Sequence, residues 1–381
     1  MNEKEFTGTI AGEVRWAMNG SYCYFHPHEL PFEIDVDRRT QQSLSEAAIE
    51  LARLDGMASQ MDAEESEILL TAFTLMESAS SSSIEGTRST LDDLYRSERI
   101  EEKDVSRASD NREVMSYKNA LHEGLNALKG GEKISIDLIK RLHTILMSND
   151  RGSHLSPGKF KTTQNAIGTA GDTLETAKMV PACPETVERL MDNWIEYVNS
   201  KDVGTVEKVA ISHCQFETIH PFRDGNGRIG RLLIVLVIYS DGLLRSPVLY
   251  PSDYFNKYRD EYIDGLFNVA SKDAFAEWLG FVSKAFRTQA VSSMRTIERL
   301  RRYRRALTDS ENNMNIVRTI SMLFRNPYIR ATDLKDALNI SPPTANSILA
   351  ELQGRGVIRE ITGKLRNKVY VADGIMEILR G

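Results

Sequence analysis

Apolar side chains recur at three- and four-residue spacing along most of this 381-residue chain, a period that suits helices rather than strands. Strand signals are confined to Tyr22 to Phe25, a stretch near Gln164 to Ile167, and Lys368 to Val371. The spacing predicts helices over 41–61, 62–86, 110–128, 135–147, 185–199, 205–218, 228–240, 253–268 and 273–290. Leu44, Ala48, Leu51 and Leu54 mark the first. Asp62, with Glu65 three residues on, reads as the cap of the second, and Gly86 as its stop. Residues 150–184 break the pattern with Gly152, Pro157, Gly158, Gly168, Gly171, Pro181 and Pro184. A loop this long inside a domain is usually functional or disordered.

Composition removes several classes. With 41% hydrophobic and 27% charged residues, the chain can bury a core, which argues against wholesale disorder. Three cysteines (Cys23, Cys183, Cys214) are too few and too scattered for a disulfide framework or a zinc knuckle, and they suit a reducing cytoplasm. The longest apolar run, Leu232 to Tyr239, falls far short of the ~20 residues of a membrane span, so no membrane partner is expected. The first residues lack the basic-then-apolar signature of a signal peptide. A net charge of −6 excludes a globally basic nucleic-acid coat and leaves room for a local basic patch.

The most informative stretch is His220-Pro221-Phe222-Arg223-Asp224-Gly225-Asn226-Gly227-Arg228-Ile229-Gly230-Arg231. It lies between two helical patterns. Gly225 and Gly227 permit close backbone approach, and a Gly-rich turn opening into a helix N-terminus offers free N–H groups to an anion, most naturally phosphate. Arg228 and Arg231, three apart, share a face of the first turn, where the helix dipole disfavours cations and like charges repel. A bound polyanion or a buried carboxylate would compensate both. Asp224 would repel a phosphate unless a divalent cation bridges them, which points to Mg²⁺. His220, just ahead of the turn, is placed to act as a base toward a hydroxyl approaching phosphorus.

This run resembles the Fic (Fic/Doc) signature H-x-F-x-[D/E]-G-N-G-R-x-x-R at every defined position. Members with the full motif typically transfer AMP from ATP, with Mg²⁺, to a hydroxyl side chain of a protein. The resemblance implies that His220 is the general base, that Phe222 packs into the core, and that Asp224 ligates Mg²⁺. It further implies that Gly225, Asn226 and Gly227 surround the α- and β-phosphates, that Arg228 contacts the phosphates, and that Arg231 contacts the γ-phosphate. The stretch Pro157 to Gly168 is similar to the family's flap, a β-hairpin that registers the target side chain. Lys161 stands there in place of a common arginine and Ala166 in place of a common tryptophan. Tyr258 and Tyr262 occupy places comparable to the family's adenine contacts, while ordinary packing on a half-buried helix explains them equally. Ser81, Glu85 and Gly86 match S/T-x-x-x-E-G/N, the family's inhibitory motif, in which the glutamate pairs with the second motif arginine, here Arg231. His143, His122, His213 and Cys214 read as core residues.

Beyond the motif, 311–381 reads as helix, helix, turn, helix and a two-stranded wing carrying Lys364, Arg366 and Lys368, and resembles a winged helix-turn-helix. Duplex DNA, through wing-to-phosphate pairing, and a docking protein are both partners it admits. The expected whole is a mainly α protein: an N-terminal helical region with an inhibitory helix (1–100), a Fic catalytic domain (101–290), a basic linker helix (291–310), and the winged unit (311–381). The expected activity is autoinhibited adenylyl transfer from ATP to a Ser, Thr or Tyr hydroxyl. The alternatives are a Fic-fold transferase with another donor, or a nucleotide-sensing DNA-binding transcription regulator. The oligomeric state stays open, a homodimer among the options.

Overall fold

The computed structural model describes residues 1–18, 20–148, 154–169 and 171–381. Parts of the expected loop, 150–153 and 170, lie outside the described residues. A hairpin of β1 (Gly12–Trp16) and β2 (Cys23–Pro27) precedes the helices, with Val14 opposite Phe25. Helix α1 (Arg38–Ala58) starts where Asp37 accepts from the Thr40 N–H at 2.7 Å, and buries Ala47, Leu51 and Leu54. Helix α2 (Ala63–Ile84) starts where Asp62 accepts from the Glu65 N–H at 2.8 Å. It is followed by a short α3 (Leu91–Ser97), α4 (Val105–Lys129) and α5 (Ile136–Leu146). After the long loop come α6 (Val187–Asn199), α7 (Thr205–Ile219) and α8 (Asn226–Ser240).

Helices α7 and α8 pack against each other and are buried nearly all round. An all-round apolar helix belongs in the middle of a bundle. The apolar run Leu232 to Tyr239 is therefore core, and among the described residues no helix is long and apolar enough to cross a membrane. Helix α8 begins two residues earlier than the pattern suggested, so Arg231 falls in its second turn.

Three expected helices change identity. The segment 253–268 divides at Tyr258 into α9 (Pro251–Lys257) and α10 (Arg259–Lys272), where the Tyr258 ring leans on Tyr254 at 4.5 Å. The segments 273–290 and 291–310 fuse into α11 (Phe275–Thr308), a single 34-residue helix. Its apolar seam continues through Ile297 and Leu300, and α11 packs along α1. Two arginines of the basic stretch find partners, while Arg295, Arg299, Arg302 and Arg305 stay exposed. Arg301 pairs with Glu65 at 2.8 Å and Arg304 with Glu64, both acids lying in the first turn of α2. Partners more than 230 residues away are invisible to a local count of charges.

The C-terminal unit comprises α12 (Met314–Arg325), β3 (Tyr328–Arg330), α13 (Ala331–Leu338), α14 (Pro342–Gly354), β4 (Arg359–Glu360), β5 (Val369–Val371) and α15 (Asp373–Arg380). The strands form an antiparallel sheet in the order β3-β5-β4. This is the order of helices and strands expected, with β3, the closing α15 and, earlier in the chain, β1 and α3 not anticipated. The flap differs from the hairpin expectation. Its described residues make two isolated antiparallel bridges, Phe160 to Phe222 and Ile167 to Met179, with partners in the motif loop and beyond the flap.

Candidate active site

The site forms where α7 ends and α8 begins. His220 terminates α7 in a left-handed conformation (φ 49°), its N–H still bonded to the Phe216 carbonyl at 2.9 Å. Asn226 closes the turn: its side chain accepts from the Phe222 N–H and donates to the Phe222 carbonyl, both at 2.8 Å. Its amide is therefore a loop clamp, and only its backbone is left for an anion. Gly225 takes φ 77°, and a Cβ there would come within 2.8 Å of Met147 Sδ. No side chain caps α8, so its first N–H groups are left to the turn.

His220 Nδ1 lies 3.2 Å from the Glu217 carbonyl. A carbonyl only accepts, so Nδ1 carries the proton and Nε2 keeps its lone pair. Burial, reinforced by Lys161, pushes the imidazole down to about 3, which keeps it neutral at physiological pH. Lys161 is itself buried, and burial pulls its amine down to about 7. It donates to Asn165 Oδ1 and the Ile219 carbonyl, and Asn165 in turn donates to the Phe222 carbonyl. The flap thus grips the backbone on both sides of His220.

His143 is fully buried, as its core reading expected, and is also a keystone. Its Nδ1 accepts from the Gly158 N–H, its Nε2 donates to the Asp224 carbonyl, both at 2.9 Å, and its ring stacks on Phe222 at 3.8 Å. It ties flap to motif loop. Burial pushes its pKa down to about 4, as two fixed neutral-form hydrogen bonds require. Nothing in the sequence near position 143 signalled this.

The two arginines find different carboxylates. Arg228 donates to Glu113 of α4 at 2.6 Å, both buried. Glu113 was missed, and its only signal was a charge on an otherwise inward-facing stripe. Arg231, 1% exposed, donates through Nε to Ser81 Oγ (2.9 Å) and through Nη2 to the Ser81 carbonyl (3.0 Å) and Glu85 Oε1 (2.6 Å). Gly86 follows with φ 97°, and a Cβ at Gly227 would overlap Glu85 Oε1. Burial opposes ionisation of Glu85, but Arg231 beside it outweighs that and holds the carboxyl below its usual range.

Asp224 is exposed, with Oδ1 accepting from the Gly225 N–H at 2.6 Å. One carboxylate beside an anion-binding turn fits a divalent cation whose other ligands are phosphate oxygens and water. Among the described residues no three acids, histidines or cysteines gather to hold a metal without such help. The two tyrosines separate. Tyr258 is half-buried at the α9–α10 break. Tyr262 is buried, its hydroxyl on His213 Nε2 at 2.7 Å and its ring against Phe255, so it supports the α7 core rather than offering a ring face.

Residues 133–238 match the sequence model of the Fic/DOC family, and residues 41–126 that of the Fic/DOC family N-terminal region. This chain belongs to the Fic/DOC family. Over 173 residues it is 31% identical to protein adenylyltransferase fic-1 of Caenorhabditis briggsae, covering 44% of this chain and 31% of that one. Over 154 residues it is 29% identical to a probable protein adenylyltransferase of Aquifex aeolicus, covering 40% and 46%. The chain therefore spans less than half the length of these curated relatives. The fold matches a Fic family protein from Desulfovibrio desulfuricans G20 (TM-score 0.56, 18% identity, 89% of this chain and 97% of that one). It also matches Fic-1 of Caenorhabditis elegans (TM-score 0.55, 20% identity, 68% and 74%). The Fic family model spans the whole motif, and the N-terminal model spans the Ser81–Gly86 segment seated on Arg231.

Proposed function

We propose that this Fic protein is a protein adenylyltransferase, moving AMP from ATP to a Ser, Thr or Tyr hydroxyl of a target protein, and that Glu85 restrains it. The observation that carries the reading is His220, neutral, with Nδ1–H held by a carbonyl and Nε2 free, at the lip of an uncapped helix N-terminus. Nε2 takes the hydroxyl proton as the oxygen attacks the α-phosphorus. The new O–P bond forms as the bond to pyrophosphate breaks. Backbone N–H groups at Asn226 to Arg228 receive phosphate charge, and Arg228 adds its own once Glu113 shares it. Bound through Asp224 and phosphate oxygens, Mg²⁺ would neutralise charge on the leaving group. Arg231 serves the γ-phosphate when Glu85 withdraws. The names of the curated relatives support this reaction class.

Incubation with α-labelled and γ-labelled ATP is the test, with label reaching protein from the α position alone as the expected result. His220→Ala should bind ATP normally and transfer ~10²–10⁴-fold more slowly, since a base acts in the transition state. Near-normal transfer by that variant would refute the mechanism. A second ligand is supported by the wing, where Lys364, Arg366 and Lys368 are exposed around Leu365, itself 99% exposed. Duplex DNA suits these charges, and its affinity should fall steeply with salt. No binding at low salt would favour a docking protein. Free thiols at all three cysteines support a cytoplasmic location.

A further inference from the structure

One carboxyl beside the site belongs to no motif. Glu217 lies on α7, one turn before His220, with its side chain 12% exposed. Its Oε1 is buried and has no hydrogen-bond partner among the described residues. Native structures rarely leave such an atom unsatisfied without a reason. Its Oε2 stands 3.8 Å from His220 Nδ1, on the edge of the ring that carries the proton. The neighbouring helix makes room for this group: a Cβ on Gly230 would overlap Glu217 Oε1. The backbone carbonyl of Glu217 fixes the tautomer of His220, and its carboxyl sits behind the same N–H. In that place a negative charge does nothing for neutral imidazole and much for imidazolium.

We propose that Glu217 is a positioning residue for His220, whose carboxylate faces the Nδ1–H edge and stabilises the imidazolium formed when Nε2 takes the target's proton. This rests on the adenylyl-transfer reading above. The proton goes from the hydroxyl to Nε2 and leaves later to solvent; Glu217 neither gains nor loses one in the step, as in other carboxylate–histidine couples. The separation is loose for a hydrogen bond, as it often is in catalytic sites without substrate.

The surrounding charges connect this group to the inhibitory pair. Burial raises the Glu217 carboxyl to about 8; Arg231 of α8 opposes the rise and Glu85 of α2 adds to it. Tyr262 of α10 faces it as well, while Lys161 of the flap faces His220. Withdrawal of Glu85 therefore frees Arg231 and at the same time favours the charged form of Glu217. Because the pKa is raised, the active carboxylate is scarce at pH 6 and grows as pH climbs toward 8. His220, down near 3, stays neutral throughout that window. Lys161, near 7, titrates inside it and needs a control.

The experiment uses the full chain carrying Glu85→Gly, with AMP transfer from α-labelled ATP followed from pH 6 to 9. The rate should rise by up to about tenfold per pH unit and level off below 8, because the Glu85 charge that helps raise the Glu217 carboxyl is gone. Adding Glu217→Gln should lower kcat at least about tenfold, leave KM for ATP within twofold, and abolish the pH rise. Glu217→Asp should restore part of the rise, and Lys161→Arg, which cannot deprotonate, should keep it. A Glu217→Gln chain that retains the pH rise overturns the proposal, as does loss of the rise in Lys161→Arg. Absence of α-label transfer in the Glu85→Gly parent at every pH would instead overturn the adenylyl-transfer reading itself.

Discussion

Arg231 meets three acceptors from a single helix turn, and that geometry makes its partnership with Glu85 a competition. The guanidinium is almost wholly enclosed, whereas the Glu85 side chain is 41% exposed. The exposed partner is the one that can leave. Glu85 also caps the C-terminus of α2, where the helix dipole disfavours a carboxylate by ~0.3–1 kcal/mol. Glu85→Gly should therefore raise transfer to targets or to the protein itself. Adding Arg231→Ala should cancel the gain, because in the proposed reaction the freed arginine is what meets the γ-phosphate. The pair should be non-additive, as residues in direct contact are. Equal or lower label incorporation by folded Glu85→Gly would reduce Ser81 to Gly86 to a helix end. At this scale the sequence was legible wherever the chemistry is contiguous, from His220 to Arg231, or repeats a short spacing, from Ser81 to Gly86. Glu113, His143 and Glu217 were not legible. Each acts through contacts to motif residues, and a lone Glu or His on a helix carries no local sign of what it faces.

Helix α2 leads into the Glu85 contact with Arg231 at one end and carries a buried acid in its middle, which bonds to two neighbouring helices. Glu77 accepts from the Ser252 N–H (3.1 Å), from Ser252 Oγ, and from Tyr117 OH (3.2 Å), joining α2 to α9 and α4. Burial pushes its carboxyl up to about 7, against the pull of those donors and of Arg231. The sign follows directly. A raised carboxyl pKa means the folded state holds the proton more tightly than the unfolded chain, whose value is near 4.5. The associated stability is complete below about 4.5 and is lost as pH rises through about 7. Glu77→Gln cannot titrate, so urea unfolding should show the stability gap between parent and variant narrowing from pH 5 to 7, by up to roughly 1.4 kcal/mol per unit. A constant gap would mean Glu77 is ionised throughout. The elements themselves were largely readable, because amphipathic spacing fixes helices. The divided α9–α10 and the continuous α11 were not, since the first depends on how Tyr258 packs and the second on partners contributed by α1 and α2.

The C-terminal third holds the segment that bears Ser81 and Glu85 from both flanks, and this is a property of the whole molecule. Ahead of the motif, Arg301 engages Glu65 with two nitrogens (2.8 and 3.0 Å), Arg304 engages Glu64, and Arg325 meets Glu67 at 2.9 Å. Behind it, Arg380 reaches Asp92 of α3 at 2.5 Å, Arg99 pairs with Asp333 at 2.9 Å, and Asn326 donates to Glu98 at 2.8 Å. Exposed pairs contribute only ~0.2–1 kcal/mol each, but a two-nitrogen arginine contact and a network do better. Losing about 1.4 kcal/mol of seating multiplies the unseated population of α2 tenfold, provided Glu85 leaves with the helix. Arg301→Glu with Arg304→Glu sets like charges against α2, and should raise AMP transfer roughly two- to tenfold in the otherwise unaltered chain. Exchanging the partners as well, with Glu64→Arg and Glu65→Arg, should restore restraint, because the attraction returns with its sign reversed. In the Glu85→Gly background neither change should matter, since there is no glutamate left to release. If charge reversal lowers thermal stability and leaves transfer unchanged, the clasp is structural only. If it raises transfer and the exchange reverses it, the C-terminal unit is coupled to Arg231 through α11 and α2.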